Sequence, residues 1–287
     1  MYKAHFQLKA NPFTASSESR FIYRSRELEE VLAHFHYALE MGEAFLLLTG
    51  EVGTGKTTAI QAITQNKSND GEVAVVSHNT VTPRELLDEI VVRFGLRAKS
   101  REPKPRLIHR LEEFFVDVGR KERRAILFLD EAHLLTPRVL EEVRLLSNLQ
   151  RGGRPLVLIC LVGQPELATR LQRAGLRQLR QRIGVRYALK PLSRVETRDY
   201  LAHRLRAAGS KVAERLFRAE AADAIYEISG GFPREINIMA GQAMLNSYLD
   251  DADMVTLNHV VSARADYGFE GVHTCTPTAG RSRQPSR

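Results

Sequence analysis

The chain has 287 residues, 43% hydrophobic and 26% charged, which is enough to bury a sizeable core in one large or two modest domains and excludes a disordered chain. Lysine and arginine number 42 against 34 acids, a formal charge of +8 that favours polyanions: nucleotides, nucleic acid or an anionic membrane surface. Its two cysteines, Cys160 in an apolar run and Cys275 in a polar stretch, exclude a disulfide framework and point to a reducing compartment.

The opening residues Met1 to Phe6 lack the apolar core of a signal peptide, and no run reaches the roughly 18 to 20 apolar residues needed to cross a bilayer. A cytoplasmic location with no membrane span is expected. Residues 1–24 read as an extended segment, because Asn11 precedes Pro12 and so avoids the helical region. A serine-rich turn, Ser16-Ser17-Glu18-Ser19, follows. The aromatics of this segment either lie against the adenine of a bound nucleotide or plug the edge of the core. Ser25 then caps a helix whose Leu28, Val31, Leu32, Phe35 and Leu39 share one face, and Gly42 ends it.

The apolar run Ala44 to Thr49 predicts a short buried strand feeding the glycine-rich turn Gly50-Glu51-Val52-Gly53-Thr54-Gly55-Lys56-Thr57, with a helix starting near Lys56. That is the pattern of a P-loop. Polyphosphate is met there by backbone N–H groups at close range, so Gly50, Gly53 and Gly55 stand where side chains would obstruct. The helix N-terminus adds its positive dipole end. Lys56 is expected on the β- and γ-phosphates and Thr57 on Mg²⁺, with the whole stretch Gly50 to Thr58 forming the ATP-binding loop.

Val73 to Ser77 reads as a second strand, and Thr82-Pro83 as the cap and first turn of the next helix. Between Arg97 and Arg110 lies a basic connection with Lys99, Arg101, Lys104 and Arg106, either a surface for a phosphate backbone or a solvated face. Ala125 to Leu129, Pro155 to Val162 and Val185 to Leu189 are further strands. Continuous apolar strands alternating with helices predict a parallel α/β sheet with helices on both faces. Beyond Pro191 every periodic segment is helical: 193–208, 219–229, 233–249 and 256–265. The domains expected are thus an α/β nucleotide-binding domain over 25–190, a small all-helical domain over 191–266 and a disordered basic tail over 267–287.

Asp130 and Glu131 follow the third strand directly, at the carboxyl end where ligands of open α/β sheets gather. Asp130 is expected to bind Mg²⁺ through water, and Glu131 to align and deprotonate an attacking water. The run Asp130-Glu131-Ala132-His133 also occurs in helicases, but the helical tail is too small for a second motor lobe; His133 reads as a packing or supporting residue. Gln164, after the fourth strand, either reaches between Glu131 and the γ-phosphate or simply starts a helical turn. Arg170, Arg173, Arg177, Arg180, Arg182 and Arg186 form a strongly basic helix end, solvated, on DNA or in a neighbouring subunit's site. Gly230-Gly231-Phe232-Pro233-Arg234 ends one helix and starts another, aiming Arg234 at the nucleotide or at a surface acid.

Taken together, Tyr2 to Phe13, the P-loop, Val143 to Leu149, Leu161 to Leu167, Leu176 to Ile183 and Gly231 to Asn237 resemble the AAA+ ATPases, and more narrowly the ExeA/GspA-type general secretion pathway protein A family. The resemblance spans residues 1 to 265. It implies a P-loop NTPase fold with the helical domain as a lid, Gln164 as sensor 1, Arg182 as arginine finger with Arg180 as runner-up, and Arg234 as sensor 2. It also implies an ATP- and Mg²⁺-dependent ATPase that forms homo-oligomers and serves a secretion complex. Secretion members continue into a membrane span and a periplasmic module that this sequence does not contain. Short relatives similar to TniB or TnsC act with a transposase on duplex DNA, which the basic balance also suits, and a slow nucleotide-gated scaffold is a third expectation.

Overall fold

The computed structural model describes residues 2–14, 18–65, 71–77, 82–97 and 102–267. Cys275, the expected tail from 268 on, and Ser16, Ser17, Lys99 and Arg101 lie outside them. By contact the chain divides into two compact units: Thr14–Leu192 with Phe232–Arg234, and the residues up to Phe13 with Ser193–Gly231 and the chain from Glu235 onward. The segment expected over 1–24 is thus shared between the units, and the break expected at 190/191 falls after Leu192.

The larger unit is built on a parallel five-stranded sheet ordered β2-β3-β6-β1-β7, where β1 is Phe45–Gly50, β2 Gly71–Val76, β3 Arg124–Leu129, β6 Val157–Gly163 and β7 Ile183–Leu189. Strands β1, β3 and β6 are almost wholly buried because both faces are covered, which explains their unbroken apolar sequences. Alternate residues feed different layers. Leu46, Leu48, Phe128, Cys160 and Val162 meet α2 (Arg26–Glu40) and α3 (Lys56–Gln65) on one face. Leu47, Leu127, Leu129, Ile159 and Leu161 meet α4 (Pro83–Arg93), α5 (Lys104–Arg120) and α6 (Pro137–Leu146) on the other.

Local sequence fixes where these helices begin. The Ser25 hydroxyl accepts from the Leu28 N–H, and Thr82 forms a capping box with Glu85. At its other end α2 is closed by Arg124 of β3, whose half-buried guanidinium donates to the carbonyls of Ala38, Leu39 and Glu43. The basic connection is half inside α5: Lys104 pairs with buried Glu142 at 2.6 Å and Arg110 with buried Glu102 at 2.5 Å, so these two cations brace the unit itself. A two-residue hairpin, β4 (Gln150–Arg151) and β5 (Arg154–Pro155), precedes β6 where one strand from Pro155 was expected. Gly152 and Gly153 both take positive φ, as a tight hairpin turn requires.

The smaller unit holds α1 (Tyr2–His5), α9 (Arg194–Ala207), α10 (Ala213–Leu216), α11 (Ala219–Ser229), most of α12 (Pro233–Leu249) and α13 (Leu257–Tyr267). Its N-terminal segment is stitched in by the Lys9 N–H to the Ala208 carbonyl and by buried Arg204, which donates to the Pro12 carbonyl at 2.5 Å. Phe13 meets Phe217 edge to face at 5.8 Å. Phe6 and Phe13 therefore plug this unit's core.

Candidate nucleotide-binding site

Strand order decides which loops meet. Strand β6 lies between β1 and β3, so the end of β6 sits between the P-loop and the acidic pair. Thr49 of β1 pairs with Gly163, and Leu129 of β3 with Leu161, which brings Gly50, Gln164 and Asp130 to the same rim of the sheet.

The loop after β1 has the expected form. Gly53 and Gly55 have φ of 83° and 102°, a region side-chain-bearing residues rarely adopt. Gly50 is required for closeness instead: a Cβ there would stand 2.8 Å from Thr54 Oγ1 and 3.1 Å from the Leu189 carbonyl. Helix α3 starts at Lys56, so the loop leads straight into a helix N-terminus. Lys56 is 7% exposed and donates to the carbonyls of Gly50 at 2.8 Å and Glu51 at 2.9 Å. Those bonds use two of its three ammonium donors and leave one for a ligand. Burial lowers its pKa, while the charges of Glu131 and Asp130 act against that. Glu51 and half-exposed Val52 ride the outside of the loop, and the Thr54 hydroxyl ties back to Glu51. Thr58 follows Thr57 in the first turn of α3.

Asp130 is 6% exposed, with Oδ2 accepting from the Thr57 hydroxyl at 3.3 Å and Oδ1 from the Glu131 N–H at 2.9 Å. Burial raises its pKa, the neighbouring Glu131 adds to that, and the hydrogen bonds and Lys56 oppose it. Among the described residues no cluster of three or more His, Cys, Asp or Glu is assembled to hold a metal alone. A single carboxylate beside a hydroxyl suits Mg²⁺, which keeps several waters and shares the phosphate oxygens of its nucleotide. The donor set of Thr57 and Asp130 therefore fits the group.

Glu131 is left-handed, φ 53°, a conformation that costs a side-chain-bearing residue ~1–2 kcal/mol. Its carboxylate is 43% exposed and lies 3.4 Å from Nδ1 of His133. The other ring nitrogen, Nε2, meets the Gln164 side-chain amide at 3.1 Å. A short 3₁₀ turn, Ala132–Leu134, carries His133, and Arg170 of α7 (Glu166–Arg170) fastens it by donating to the carbonyls of His133 and Leu135. In the sequence His133 reads only as a packing or supporting residue, and its position three residues past Asp130 is the one signal of its place here.

The arginines do not form one basic helix. Arg170 is spent on the turn, a 3₁₀ turn and α8 (Arg177–Gln181) follow, and Arg186 already lies on β7, donating to the Arg180 carbonyl. Arg182, between α8 and β7, donates to the hydroxyl of buried Ser147 at 2.7 Å. Arg234, exposed at the start of α12 and grouped with the larger unit, places its N–H 3.3 Å from the Gly53 carbonyl. A Cβ on Gly53 would come within 3.0 Å of the Arg234 Cβ, a second reason for glycine there. Lys56, Thr57, Asp130, Glu131 and Gln164 are thus brought to one rim, with Arg234 against the loop and Arg182 held on Ser147.

Residues 39–171 match an AAA domain. The General secretion pathway protein A of Aeromonas hydrophila is 36% identical over 248 residues, 86% of this chain, and the chain spans 45% of that protein's length. Among solved structures the chain is similar to the ORC2 protein of Aeropyrum pernix, with a TM-score of 0.69 at 16% identity over 93% of this chain and 73% of that one. It is also similar to the RuvB Holliday junction branch migration motor of Thermotoga maritima, TM-score 0.54 at 18% identity over 89% of this chain and 73% of that one. At such identities the structural likeness speaks for the fold, a P-loop sheet with a helical C-terminal region.

Proposed function

We propose that this chain, which matches an AAA domain over residues 39–171 and is similar to General secretion pathway protein A, is an AAA+ ATPase that binds Mg²⁺-ATP at the Gly50–Thr58 loop and hydrolyses it as an assembling subunit of a secretion machine. The observation that carries the reading is the short span between Thr57 and Asp130, 3.3 Å, at the mouth of a loop whose buried lysine has a donor to spare.

Backbone amides of the loop and Lys56 take the β- and γ-phosphates, while the α3 N-terminus adds a favourable field. Thr57 and Asp130 would hold Mg²⁺, which would neutralise charge on the phosphate oxygens. Glu131 accepts the proton of the attacking water, a role contributing ~10²–10⁴-fold. Gln164 contacts the γ-phosphate. Arg182, with Arg180 as the alternative, reaches a neighbouring subunit's nucleotide, and Arg234 the nucleotide of its own loop; one arginine so placed is worth ~10³–10⁵ in turnover.

Equilibrium binding of a fluorescent ATP analogue with Mg²⁺, paired with phosphate release, tests the reading. Saturable binding lost in Lys56→Ala supports it; equal binding by the Lys56 variant removes it. The +8 charge supports a second reading, a DNA-binding ATPase acting with a transposase. Salt-sensitive, ATP-dependent retention of duplex DNA selects that reading over the secretion role. Turnover that stays negligible with DNA and with protein partners selects a nucleotide-gated scaffold.

A further inference from the structure

His133 stands between Glu131 and Gln164, two residues that the proposed hydrolysis needs, and both of its ring nitrogens face them. Nδ1 is 3.4 Å from Glu131 Oε2 and Nε2 is 3.1 Å from the side-chain amide nitrogen of Gln164. The Gln164 backbone N–H also lies 3.4 Å from Nδ1, so Gln164 holds the ring at both nitrogens while Nδ1 stands beside the Glu131 carboxylate. A histidine that merely capped its turn would need a single partner and would not be aligned with a carboxylate and an amide from different strands.

The ring has little freedom to do anything else. Its side chain is 13% exposed, and its turn is fastened by Arg170 through the carbonyls of His133 and Leu135. Gly163 leaves the space: a Cβ there would stand 3.1 Å from the His133 backbone nitrogen and 3.4 Å from Nδ1. Glu131 is left-handed and its carboxylate is 43% exposed, and the imidazole stands against one of its oxygens at 3.4 Å.

We propose that His133 is a positioning residue that couples Gln164 to Glu131, taking its orientation from the Gln164 amide and setting the Glu131 carboxylate for proton abstraction. The inference rests on the proposed ATPase reading. It requires no change in how the phosphates are gripped, so it separates turnover from binding.

The test has two arms. In the first, His133→Ala binds ATP with the affinity of the parent but loses at least tenfold in kcat with KM little changed, and His133→Asn, whose amide sits near the Nδ1 position, recovers part of it. Gln164→Ala and His133→Ala combined lose no more than the larger single loss, as members of one chain must. Additive losses, or a His133→Ala enzyme with parental kcat, overturn the proposal while leaving the ATPase reading intact. The second arm needs no turnover: the ¹⁵N NMR signals of the imidazole shift in Gln164→Ala, which removes the side-chain contact to Nε2, and in Glu131→Gln, which changes the group beside Nδ1. A ring indifferent to both substitutions overturns the proposal even for a protein that hydrolyses nothing. Failure of the parent to bind ATP instead overturns the ATPase reading. Melting curves confirm that each variant folds, and Gln164→Ala reads the coupling should His133→Ala fail to.

Discussion

The hydroxyl of Thr57, on the first turn of α3, donates to Oδ2 of Asp130 at 3.3 Å, joining the ends of two strands that are not neighbours in the sheet. The link brings a buried carboxylate to a helix N-terminus, an arrangement that is costly without a cation and favourable with one.

Asp130→Asn should therefore raise the stability of the nucleotide-free protein near neutral pH while abolishing Mg²⁺-dependent turnover. Burial lifts the Asp130 pKa in the folded state, so the folded chain holds the proton more tightly than the unfolded one. The ionised aspartate is then a burden above its folded pKa, relieved as pH falls through it. Melting temperatures of parent and variant should converge on acidification; a gap that widens instead would show that the carboxylate stabilises the fold.

Lys56→Ala should weaken ATP binding by at least ~100-fold, since it removes a charged hydrogen bond to phosphate worth ~1.5–3 kcal/mol and the electrostatics of a desolvated cation. Titration with a fluorescent analogue reads this directly.

Glu131→Gln should bind ATP normally and stall, with kcat lower by ~10²–10⁴. The amide keeps shape and can still meet His133, but cannot take a proton. Single-turnover phosphate release separates this stall from a binding defect.

Arg182→Ala should lose ~10³–10⁵ in turnover if it is the group that reaches a neighbour, whereas Arg180→Ala should lose far less. Ser147→Ala frees the guanidinium from its 2.7 Å hydrogen bond and should cost only a few-fold, because the side chain remains. Mixing Arg182→Ala with Glu131→Gln subunits should restore part of the activity by pairing one intact site with one intact arginine. No recovery on mixing would argue that the arginine acts within its own chain.

Phe13→Ala should destabilise the smaller unit by ~3–5 kcal/mol, the usual loss for a buried aromatic, since it empties the contact with Phe217. Denaturant titration is the measurement, with a leading transition of the helical unit as the expected form.

The sequence by itself determined most of the elements and named the candidate site. Unbroken apolar runs announced strands buried on both faces, Ser25 and Thr82 marked helix starts, and the Gly50–Thr57 spacing with Asp130-Glu131 after a strand named the candidate site. Those signals are local, because period, caps and glycine conformations act over a few residues. Tertiary structure decided what depends on contacts between distant residues. The order β2-β3-β6-β1-β7 put Gln164 between the P-loop and the acids, and it turned His133 from a supporting residue into a bridge. It sent the Asn11-Pro12-Phe13 segment into the helical unit and fastened Arg182 to Ser147, 35 residues away in sequence. Such pairings are set by how strands are ordered and packed, and no spacing along a single chain encodes them.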